Sequence, residues 1–474
     1  MSAEAPLVLI VGGGITGLAA AWELTGGADG PARARVLLVE ASGRLGGKVH
    51  TEVADGFVIE HGPDAFVAYR PAALELIREV GLADEVIGVA GPRTVYLRAR
   101  GRLRPLPEGM GMVLPTRLGP FVGTRILTVA DKLRAGVDLV LPRQLGPGDT
   151  SIGGFLRRRL GSGIVTRFAD PMVGGIYGAG VDELSLDAVL PSLRANENQH
   201  RSLMLASLAQ GRAARRGAAT AGPSSPFRTL RPGLGALPTA LGRQLAARGV
   251  DVRLNTTVAS LGSAGVRGPV TATLGDGSTV SAAAVILAGG VASSAELLAG
   301  PHPDAAAALR AIPLASSAVL TFGFEADAFD RPPVGHGWLE ADAAPISGAT
   351  ISSAKWAGRA AGDRVLVRAF APERLDAIAG VSDEELGRRV LDHLGAVLGV
   401  RAAPVLTRIT RWRGVMPKYT VGHLDRVAAV DAALGDGPIR VAGSALRGVG
   451  VPDCIGDGRR IALSLSTLME RSTP

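Results

Sequence analysis

The first forty residues constrain the fold of this chain more than any other segment. An apolar run at residues 7–11 leads into Gly12-Gly13-Gly14-Ile15-Thr16-Gly17, and residues 18–24 continue as an apolar helix. A second apolar run, residues 35–39, ends at Glu40. Strand, glycines, helix, strand and acid in this order are typical of a βαβ unit that binds a dinucleotide.

Each glycine of this fingerprint has a physical role. Gly12 permits the tight turn, Gly14 lets a pyrophosphate approach the backbone, and Gly17 lets the helix pack closely on the strand. The helix N-terminus then faces the phosphate charge, and Glu40 is placed to accept hydrogen bonds from ribose hydroxyls, which favours a 2′-hydroxyl over a 2′-phosphate. The predicted dinucleotide contacts in this part of the chain are Gly12, Gly14, Ile15, Thr16, Gly17, Glu40 and Ala41.

A second glycine pair follows the acid at once, in Arg44-Leu45-Gly46-Gly47-Lys48. Glycines allow a ligand to approach the backbone, and an arginine neutralises phosphate. The stretch resembles the R-x-G-G segment with which flavoproteins similar to the amine oxidases contact FAD. This resemblance favours FAD over NAD, with Arg44, Gly46, Gly47 and Lys48 as further cofactor contacts.

Composition narrows the class of protein. With 474 residues, 47% of them hydrophobic, the chain is long enough for two or three domains with large cores. Its one cysteine excludes a disulfide framework and a cysteine metal cluster, and it favours a reducing cytoplasm. No run of about twenty residues is apolar enough to span a bilayer. We expect no metal site.

The net charge of +8 favours an anionic partner, such as a carboxylated substrate or an acidic membrane surface. An arginine-rich composition alone would also raise the isoelectric point, so the charge is not decisive. The arginines lack aromatic neighbours that would stack bases, and we therefore expect no nucleic-acid partner.

Five further motifs resemble those of one family, the oxygen-dependent protoporphyrinogen/coproporphyrinogen oxidases. They are Gly62-Pro63-Asp64-Ala65-Phe66, residues 101–109, residues 174–186 with Gly175-Ile176-Tyr177, residues 416–423, and Gly448-Val449-Gly450-Val451-Pro452-Asp453-Cys454-Ile455. The resemblance covers nearly the whole chain. Within this family, the chain is similar to the bacterial coproporphyrinogen branch. The chain departs from the family pattern at Lys418, where a glutamine is expected, and this leaves the role of that residue open.

The residues alone predict an α/β protein with an interrupted dinucleotide domain. The resemblance implies a Rossmann-like FAD-binding domain with an inserted mixed-sheet substrate domain and a helical subdomain. The predicted FAD-binding parts are residues 1–92, 228–290 and 416–474, the helical and substrate- or membrane-associated region is 93–210, and the substrate domain is 291–415. Residues 109–143 predict an amphipathic helix that packs inside rather than inserts into a membrane, and residues 211–226 predict a mobile loop.

The resemblance also implies the remaining cofactor contacts. They are Gly62, Pro63, Asp64, Val258, Trp412, Gly443, Val449, Gly450, Val451 and Pro452. The helix that begins near Val451 can stabilise negative charge on reduced flavin. Cys454 suggests a covalent flavin, as in some amine oxidases, but its place in the signature favours a buried, inert thiol and non-covalent FAD. His61 is a candidate base, although a histidine beside a turn is more often structural.

The reaction that the resemblance implies is the six-electron oxidation of coproporphyrinogen III to coproporphyrin III in haem biosynthesis. Dioxygen is the acceptor and hydrogen peroxide the second product. Because the cofactor performs the difficult step, we nominate no catalytic residue. Arginine forks suit the substrate propionates, so Arg70 and Arg93 are candidate ligands and Lys418 a weaker one, although each is also consistent with a surface charge. Gly175 and Ile176 are candidates for packing on the ring.

Three alternatives stay open at this point. Protoporphyrinogen IX is the alternative substrate, and the basic surplus together with the lack of a membrane span favours the tetracarboxylate. A flavin amine oxidase or desaturase would share both ends of the chain, and a non-enzymatic binder would use the same fold. We expect a cytoplasmic protein that is peripheral, if anything, to the inner membrane face, with transient contact to a ferrochelatase or a membrane surface.

Overall fold

A computed structural model describes residues 5–91, 94–217, 225–262, 268–373, 378 and 380–472. The strands within these ranges are β1 (Leu7–Val11), β2 (Arg35–Val39), β3 (Thr51–Ala54), β4 (Phe57–Glu60), β5 (Phe66–Val67), β6 (Val86–Gly88), β7 (Tyr96–Ala99), β8 (Arg102–Pro105), β9 (Phe227–Leu230), β10 (Asp251–Arg253), β11 (Val258–Leu261), β12 (Val270–Leu274), β13 (Thr279–Ala282), β14 (Ala284–Leu287), β15 (Leu314–Phe324), β16 (Gly337–Glu340), β17 (Gly348–Ile351), β18 (Val365–Pro372), β19 (Leu406–Pro417) and β20 (Ile439–Val441).

The α-helices in the same ranges are α1 (Ile15–Leu24), α2 (Ala72–Glu79), α3 (Leu118–Gly123), α4 (Val129–Gly136), α5 (Ile152–Leu160), α6 (Ser162–Ile164), α7 (Gly175–Tyr177), α8 (Leu186–Val189), α9 (Pro191–His200), α10 (Leu203–Gly217), α11 (Ala236–Ala247), α12 (Val291–Leu298), α13 (Pro303–Arg310), α14 (Ser352–Lys355), α15 (Asp383–Leu398), α16 (His423–Leu434) and α17 (Val451–Ser472). Short 3₁₀ turns lie at Ala83–Glu85, Val137–Leu139 and Ala326–Ala328.

A parallel sheet forms the dinucleotide domain. Its described strands lie in the order β10-β2-β1-β14-β20, and Ile10 at its centre pairs with Leu38 on one side and Ile286 on the other. The central strands are almost wholly apolar because helices or a second sheet cover both faces. Since β14 and β20 come from residues 284–287 and 439–441, the sheet draws on widely separated parts of the chain, as predicted for an interrupted domain.

Two hydrophobic cores sandwich this sheet. On one face, Leu18 and Trp22 of α1 pack with Ile455 of α17 and with residues of α2 and α11. Strands β11–β13 and helices α12, α13 and α16 cover the other face. Helices α1 and α17 cross closely because Gly458 has no side chain, and a Cβ there would overlap the Thr16 carbonyl oxygen.

A seven-stranded mixed sheet in the order β19-β15-β18-β17-β16-β7-β8 forms the second domain. Helix α15 packs on one of its faces, with Leu386 and Val390 against Phe322 and Val367. The long strands β15 and β18 pair antiparallel within it, and β7 and β8 form an antiparallel hairpin at one edge.

The helical subdomain is held together by an apolar core and by a buried group of charges. Phe155, Leu156 and Phe168 belong to the apolar core. Arg159 is fully buried, and its guanidinium donates to Asp138 at 2.5 Å and to Glu197 at 3.3 Å.

The prediction of one amphipathic helix over residues 109–143 is wrong. Two short helices, α3 and α4, and the 3₁₀ turn Val137–Leu139 occupy the segment, with irregular backbone before them. Pro115 has no N–H to continue a helix. Thr128 and Asp131 form a capping box that begins α4 afresh, with Asp131 N–H donating to Thr128 Oγ1 at 3.0 Å.

One other local prediction needs correction. Residues 211–217, predicted as mobile loop, continue α10, since alanine and arginine favour helix; residues 218–224 lie outside the described part of the chain.

Residues 162–177, which include the motif Gly175-Ile176-Tyr177, run as one helix whose middle, Val165–Gly174, has π-type hydrogen bonding. The left-handed Gly178 ends this helix.

The predicted domain boundaries stay a prediction, and sheet membership is the observation that bears on them. Strand β7 pairs in parallel with β16, so residues 96–105 belong with the seven-stranded sheet rather than with the helices that follow. Strands β5 and β6 pair with β9 and thereby join the first and second FAD-binding parts.

None of the described helices combines the length and the apolar character that crossing a bilayer requires.

Candidate active site

The first glycine loop ends at an uncapped helix N-terminus. Gly12 has a φ of +111°, and a Cβ there would lie 2.9 Å from the Ala288 backbone. A Cβ at Gly17 would overlap the Gly12 carbonyl oxygen. At Gly14, by contrast, a Cβ would meet no atom within 4 Å. Helix α1 has no side-chain cap among the described residues and no acid in its first turn, so its free N–H groups face open space that suits a phosphate.

The second glycine pair lies against the first loop. Gly46 N–H donates to the Gly13 carbonyl oxygen at 2.8 Å, and Gly14 and Gly46 form an isolated parallel bridge. Arg44 Nη2 donates to the Gly47 carbonyl oxygen at 2.8 Å, which holds its guanidinium beside the same loops. The structure therefore brings the Arg44–Gly47 segment and the Gly12–Gly17 loop together, as a common phosphate site requires.

Lys48 extends this site toward the middle of the molecule. Its Nζ donates to the Val415 carbonyl oxygen at 2.7 Å. Its surface is exposed, but protein surrounds the ammonium group on most sides, and the resulting desolvation lowers the pKa of Lys48. Lys48 therefore connects the second glycine pair to strand β19.

Glu40 lies at the predicted adenosine end of the site. Its carboxylate accepts from Gly13 N–H at 2.7 Å and from Ser42 N–H and Oγ at 2.9 and 2.6 Å. A carboxylate can accept about four hydrogen bonds, so Glu40 keeps capacity for a ribose hydroxyl. Ala41 is exposed beside it, and Thr256 N–H donates to the Glu40 carbonyl oxygen at 2.9 Å. Strand β11, which begins at Val258, therefore starts next to this end of the site.

Residues 443–450, which we call the C-terminal glycine turn, complete the site. Gly443 has a φ of +115°, and a Cβ there would lie 3.3 Å from Thr16 Oγ1, which places the turn against the start of α1. Asp453 Oδ2 accepts from Gly450 N–H at 3.1 Å at the start of α17, where Val451 and Pro452 occupy the first turn. The N-termini of α1 and α17 therefore converge.

These residues fit FAD. Two helix N-termini, an arginine and two glycine loops supply the donors that a diphosphate needs. The space over Gly14 is a cradle that any side chain would fill. The glycine turn leads into the N-terminus of α17, where negative charge on a reduced flavin would be stabilised. The individual cofactor contacts stay predictions.

The loop Gly62-Pro63-Asp64 lies between the two domains. A Cβ at Gly62 would overlap the Lys48 carbonyl oxygen, so the loop packs on the segment that follows the second glycine pair. The Asp64 carboxylate turns the other way, to Lys355 Nζ and Trp356 Nε1, both at 3.0 Å. Burial raises the pKa of Asp64, but the cations Lys355 and Arg368 outweigh it and hold the pKa well below its usual range.

His61 and Trp412 hold the same loop from the other side. Trp412 Nε1 donates to the His61 carbonyl oxygen at 2.9 Å. The His61 ring lies 2.7 Å from Thr410 Oγ1 and 2.9 Å from Glu52 Oε2, and it stacks on His50. Both ring nitrogens are engaged, which supports a structural role for His61.

The candidate substrate residues fall into three groups. Gly175 and Ile176 are exposed at the end of the helical run, and a Cβ at Gly175 would lie 3.7 Å from Ser347 Oγ of the second domain. The Arg70 guanidinium pairs with Asp453, and Lys418 Nζ lies 3.7 Å from Glu183 Oε2, so both cations already have an acidic partner. Arg93 lies outside the described residues.

Sequence reasoning did not assign two acids of the cofactor site. Asp453 caps the Gly450 N–H, and the buried Asp457 accepts from Gly443 N–H at 2.8 Å. They are four residues apart on α17 and lie directly after the glycine signature. Acids in the first turns of a helix are the signal that could have found them.

One testable prediction for this site concerns the reactivity of the Cys454 thiol. Burial raises the pKa of Cys454 to about 11, so only about one molecule in a thousand holds a thiolate at pH 8. We expect 5,5′-dithiobis(2-nitrobenzoate) to leave the native holoprotein unmodified at pH 8 and to titrate one thiol in denaturant. Acid precipitation should release the flavin from the protein. Rapid native labelling, or a flavin that stays with the precipitate, would contradict the assignment of an inert thiol.

Comparison with known proteins defines the class. Residues 15–464 match the family model described as flavin containing amine oxidoreductase. The chain belongs to this family, and FAD is its cofactor.

The names of relatives within the family are more specific than the family description. A Propionibacterium freudenreichii subsp. freudenreichii protein named coproporphyrinogen III oxidase is 55% identical, with 98% of this chain and 92% of that protein covered. A Bacillus subtilis (strain 168) protein of the same name is 32% identical, with 95% and 96% covered. The crystal structure of an Exiguobacterium sp. 255-15 protein, provisionally named protoporphyrinogen oxidase, is 31% identical with a TM-score of 0.84 and 98% and 99% covered.

Proposed function

We propose that this chain oxidises coproporphyrinogen III to coproporphyrin III in haem biosynthesis, with FAD as the bound oxidant. The observation that carries the proposal is the 55% identity to a coproporphyrinogen III oxidase over nearly the whole of both chains. The cofactor site supports it, because both glycine loops and the turn before α17 are formed by the residues that the motifs predict. An amine substrate has less support, since the relatives at 29–55% identity carry porphyrinogen names, whereas the amine oxidases of the same fold are only 18–19% identical.

The chemistry balances over three rounds. Each round removes two electrons and two protons from the macrocycle, and dioxygen takes them up to give hydrogen peroxide. Three dioxygen molecules are therefore consumed for each porphyrin released. Bound FAD supplies the hydride-accepting group in every round.

The residues of the chain bind and orient the cofactor and the substrate. The N-termini of α1 and α17 stabilise negative charge, and Arg44 and the glycine loops hold the diphosphate. Ile176 and Gly175 are exposed beside Ser347 of the second domain, which suits packing of the macrocycle. Arg70 pairs with Asp453 at the start of α17, so it would bind a substrate carboxylate by exchanging that partner.

A stoichiometric experiment tests this proposal. Anaerobic addition of coproporphyrinogen III to the purified holoprotein should bleach the flavin absorbance, and air should restore it. Aerobic turnover, corrected for autoxidation without enzyme, should consume three dioxygen molecules per coproporphyrin III formed. Bleaching by an amine instead, with no porphyrin produced, would assign the chain to another branch of the family.

An exposed apolar strip within residues 129–140 bears on whether the protein contacts a membrane. Val129, Leu133, Val137 and Val140 follow each other at three- or four-residue spacing and are 40–73% exposed. Residues 109–143 hold five basic and two acidic residues, and one of these acids, Asp138, is buried. Apolar side chains among basic ones are complementary to an anionic lipid surface. We therefore propose a cytoplasmic protein that contacts the inner membrane face through this strip.

Vesicle binding tests this contact. The double variant Val129→Asp, Leu133→Asp should lose about tenfold or more of its affinity for phosphatidylglycerol vesicles, because it removes apolar burial and adds negative charge. The matched control is Val53→Asp, Val334→Asp, which changes two valines of 72% and 71% exposure elsewhere. Equal losses in both double variants, or no binding by the unchanged protein, would exclude the strip as a membrane contact.

A further inference from the structure

The segment 417–423 connects the parts of the molecule that surround the cofactor site. Lys418 N–H donates to the Pro313 carbonyl oxygen at the start of the second domain, at 2.8 Å. In the helical subdomain, Ser185 N–H donates to the Tyr419 carbonyl oxygen at 2.8 Å, and Asp149 Oδ2 accepts from Gly422 N–H at 2.9 Å. The backbone on both sides of Tyr419 is therefore fixed from two directions.

The Tyr419 side chain reaches from this segment to the C-terminal glycine turn. Its hydroxyl donates to the Ser444 carbonyl oxygen at 2.7 Å and accepts from Gly448 N–H at 2.7 Å. Ser444 and Gly448 lie at either end of the curved part of the turn, so one hydroxyl bridges it. No other described side-chain hydroxyl makes hydrogen bonds to both of these residues.

The tyrosine ring is held as firmly as its hydroxyl. It is 2% exposed and stacks on the His423 ring with centroids 3.8 Å apart and planes at 17°. His423 Nε2 donates in turn to the Leu446 carbonyl oxygen at 3.0 Å, which is the same turn. Burial raises the pKa of Tyr419, so the hydroxyl stays protonated and able to donate at ordinary pH.

We infer that Tyr419 is a positioning residue for the flavin, because its hydroxyl fixes the turn that precedes the N-terminus of α17. If the turn relaxed, the N-terminus of α17 that follows it would lose its fixed direction, and with it the ability to stabilise a reduced, negatively charged flavin. The ring also lies 5.7 Å from that of Tyr177, next to the candidate substrate residue Ile176. Tyr419 therefore lies next to both the C-terminal glycine turn and the candidate substrate residues. This inference depends on FAD binding and not on the identity of the substrate.

The variant Tyr419→Phe isolates the hydroxyl, since the ring and its stacking on His423 remain. Gly448 N–H and the Ser444 carbonyl oxygen are then left without their partner, which is costly for buried groups. We expect peptides that span residues 443–450 of the holoprotein to exchange amide hydrogens about tenfold faster. The FAD dissociation constant should rise about tenfold, and the reduction potential of the bound flavin should become more negative.

Tyr177→Phe is the matched control. It removes a hydroxyl from a neighbouring ring, and no described hydrogen bond joins that hydroxyl to the turn. We expect amide exchange at residues 443–450, FAD affinity and reduction potential to stay as in the unchanged protein.

Amide exchange, affinity and potential that stay unchanged in Tyr419→Phe would overturn the inference, even if its melting temperature falls. If Tyr419→Phe does not fold, His423→Phe tests the same turn, because it keeps a stacked ring and removes the hydrogen bond to Leu446. Faster exchange at residues 443–450 and a more negative potential would then support the inference, and unchanged values of both would overturn it. A protein that binds FAD normally but turns over no porphyrinogen would contradict the proposed function and leave this inference standing.

Discussion

Replacing Gly14 with valine should give a folded protein that has lost its flavin. A side chain at this position meets no protein atom within 4 Å and projects from the uncapped start of α1 into the space predicted for the diphosphate. We expect FAD affinity to fall by about two orders of magnitude or more, because the phosphate can no longer approach the backbone. The flavin absorbance of the purified variant and its FAD titration measure this, and its melting temperature without FAD should be that of the unchanged apoprotein.

Two other glycines serve as controls for this result. Gly300→Val also adds a side chain where no atom lies within 4 Å, but far along the chain from the loops, and should keep its flavin. Gly17→Ala should destabilise the fold itself, because its Cβ would overlap the Gly12 carbonyl oxygen. A Gly14→Val protein that binds FAD normally would show that the diphosphate lies elsewhere.

The second large effect concerns stability rather than chemistry. Arg159→Leu should lower the free energy of unfolding by about 3–5 kcal/mol, because it leaves the buried carboxylates of Asp138 and Glu197 without their cation. Backbone N–H groups of Met204, Gln144 and Leu145 still donate to these carboxylates, but they carry no net charge. Urea unfolding followed by circular dichroism measures the change.

Arg157→Leu on the same helix is the matched control. Arg157 pairs with Asp182 at the surface, where its side chain is 41% exposed, and such a pair contributes about 0–1 kcal/mol. A loss in Arg159→Leu no greater than the loss in Arg157→Leu would mean that the buried charges do not hold the helical subdomain together.

The dinucleotide domain could be predicted because its signals are local. Strand β1, the glycines, helix α1 and Glu40 follow one another within 35 residues. A side chain at Gly12 or Gly17 would clash with the backbone, and Gly14 leaves open space at the helix N-terminus. Helix α15 has local signals of the same kind, since it begins after the serine cap Ser382 and ends at Gly399. Regular periodicity and strong end signals made these elements readable.

Residues 109–143 could not be predicted in the same way. Their apolar spacing suits a helix, but Pro115 and the capping box at Thr128 divide the segment into short pieces. Several of its apolar residues, including Val129 and Leu133, are exposed rather than packed. Periodicity therefore indicated an apolar face without telling whether protein or another surface covers it.

Contacts between residues that are distant in the sequence could not be predicted either. The sequence around Arg70 does not indicate that its partner is Asp453. The sequence around Lys418 likewise does not indicate Glu183. Both cations were therefore candidate substrate ligands until the fold showed their acidic partners. The bridge from Tyr419 to Ser444 and Gly448 spans up to 29 residues and depends on how segment 417–423 is held. Such contacts follow from tertiary structure alone.

The most direct test of the proposed function is substrate preference. The kcat/KM of the purified holoprotein for coproporphyrinogen III and for protoporphyrinogen IX would be measured side by side, under air, with enzyme-free controls for autoxidation. We predict a clear preference for coproporphyrinogen III, the tetracarboxylate. Equal or greater efficiency with protoporphyrinogen IX would contradict the assignment to coproporphyrin formation while keeping the chain in its flavoprotein family.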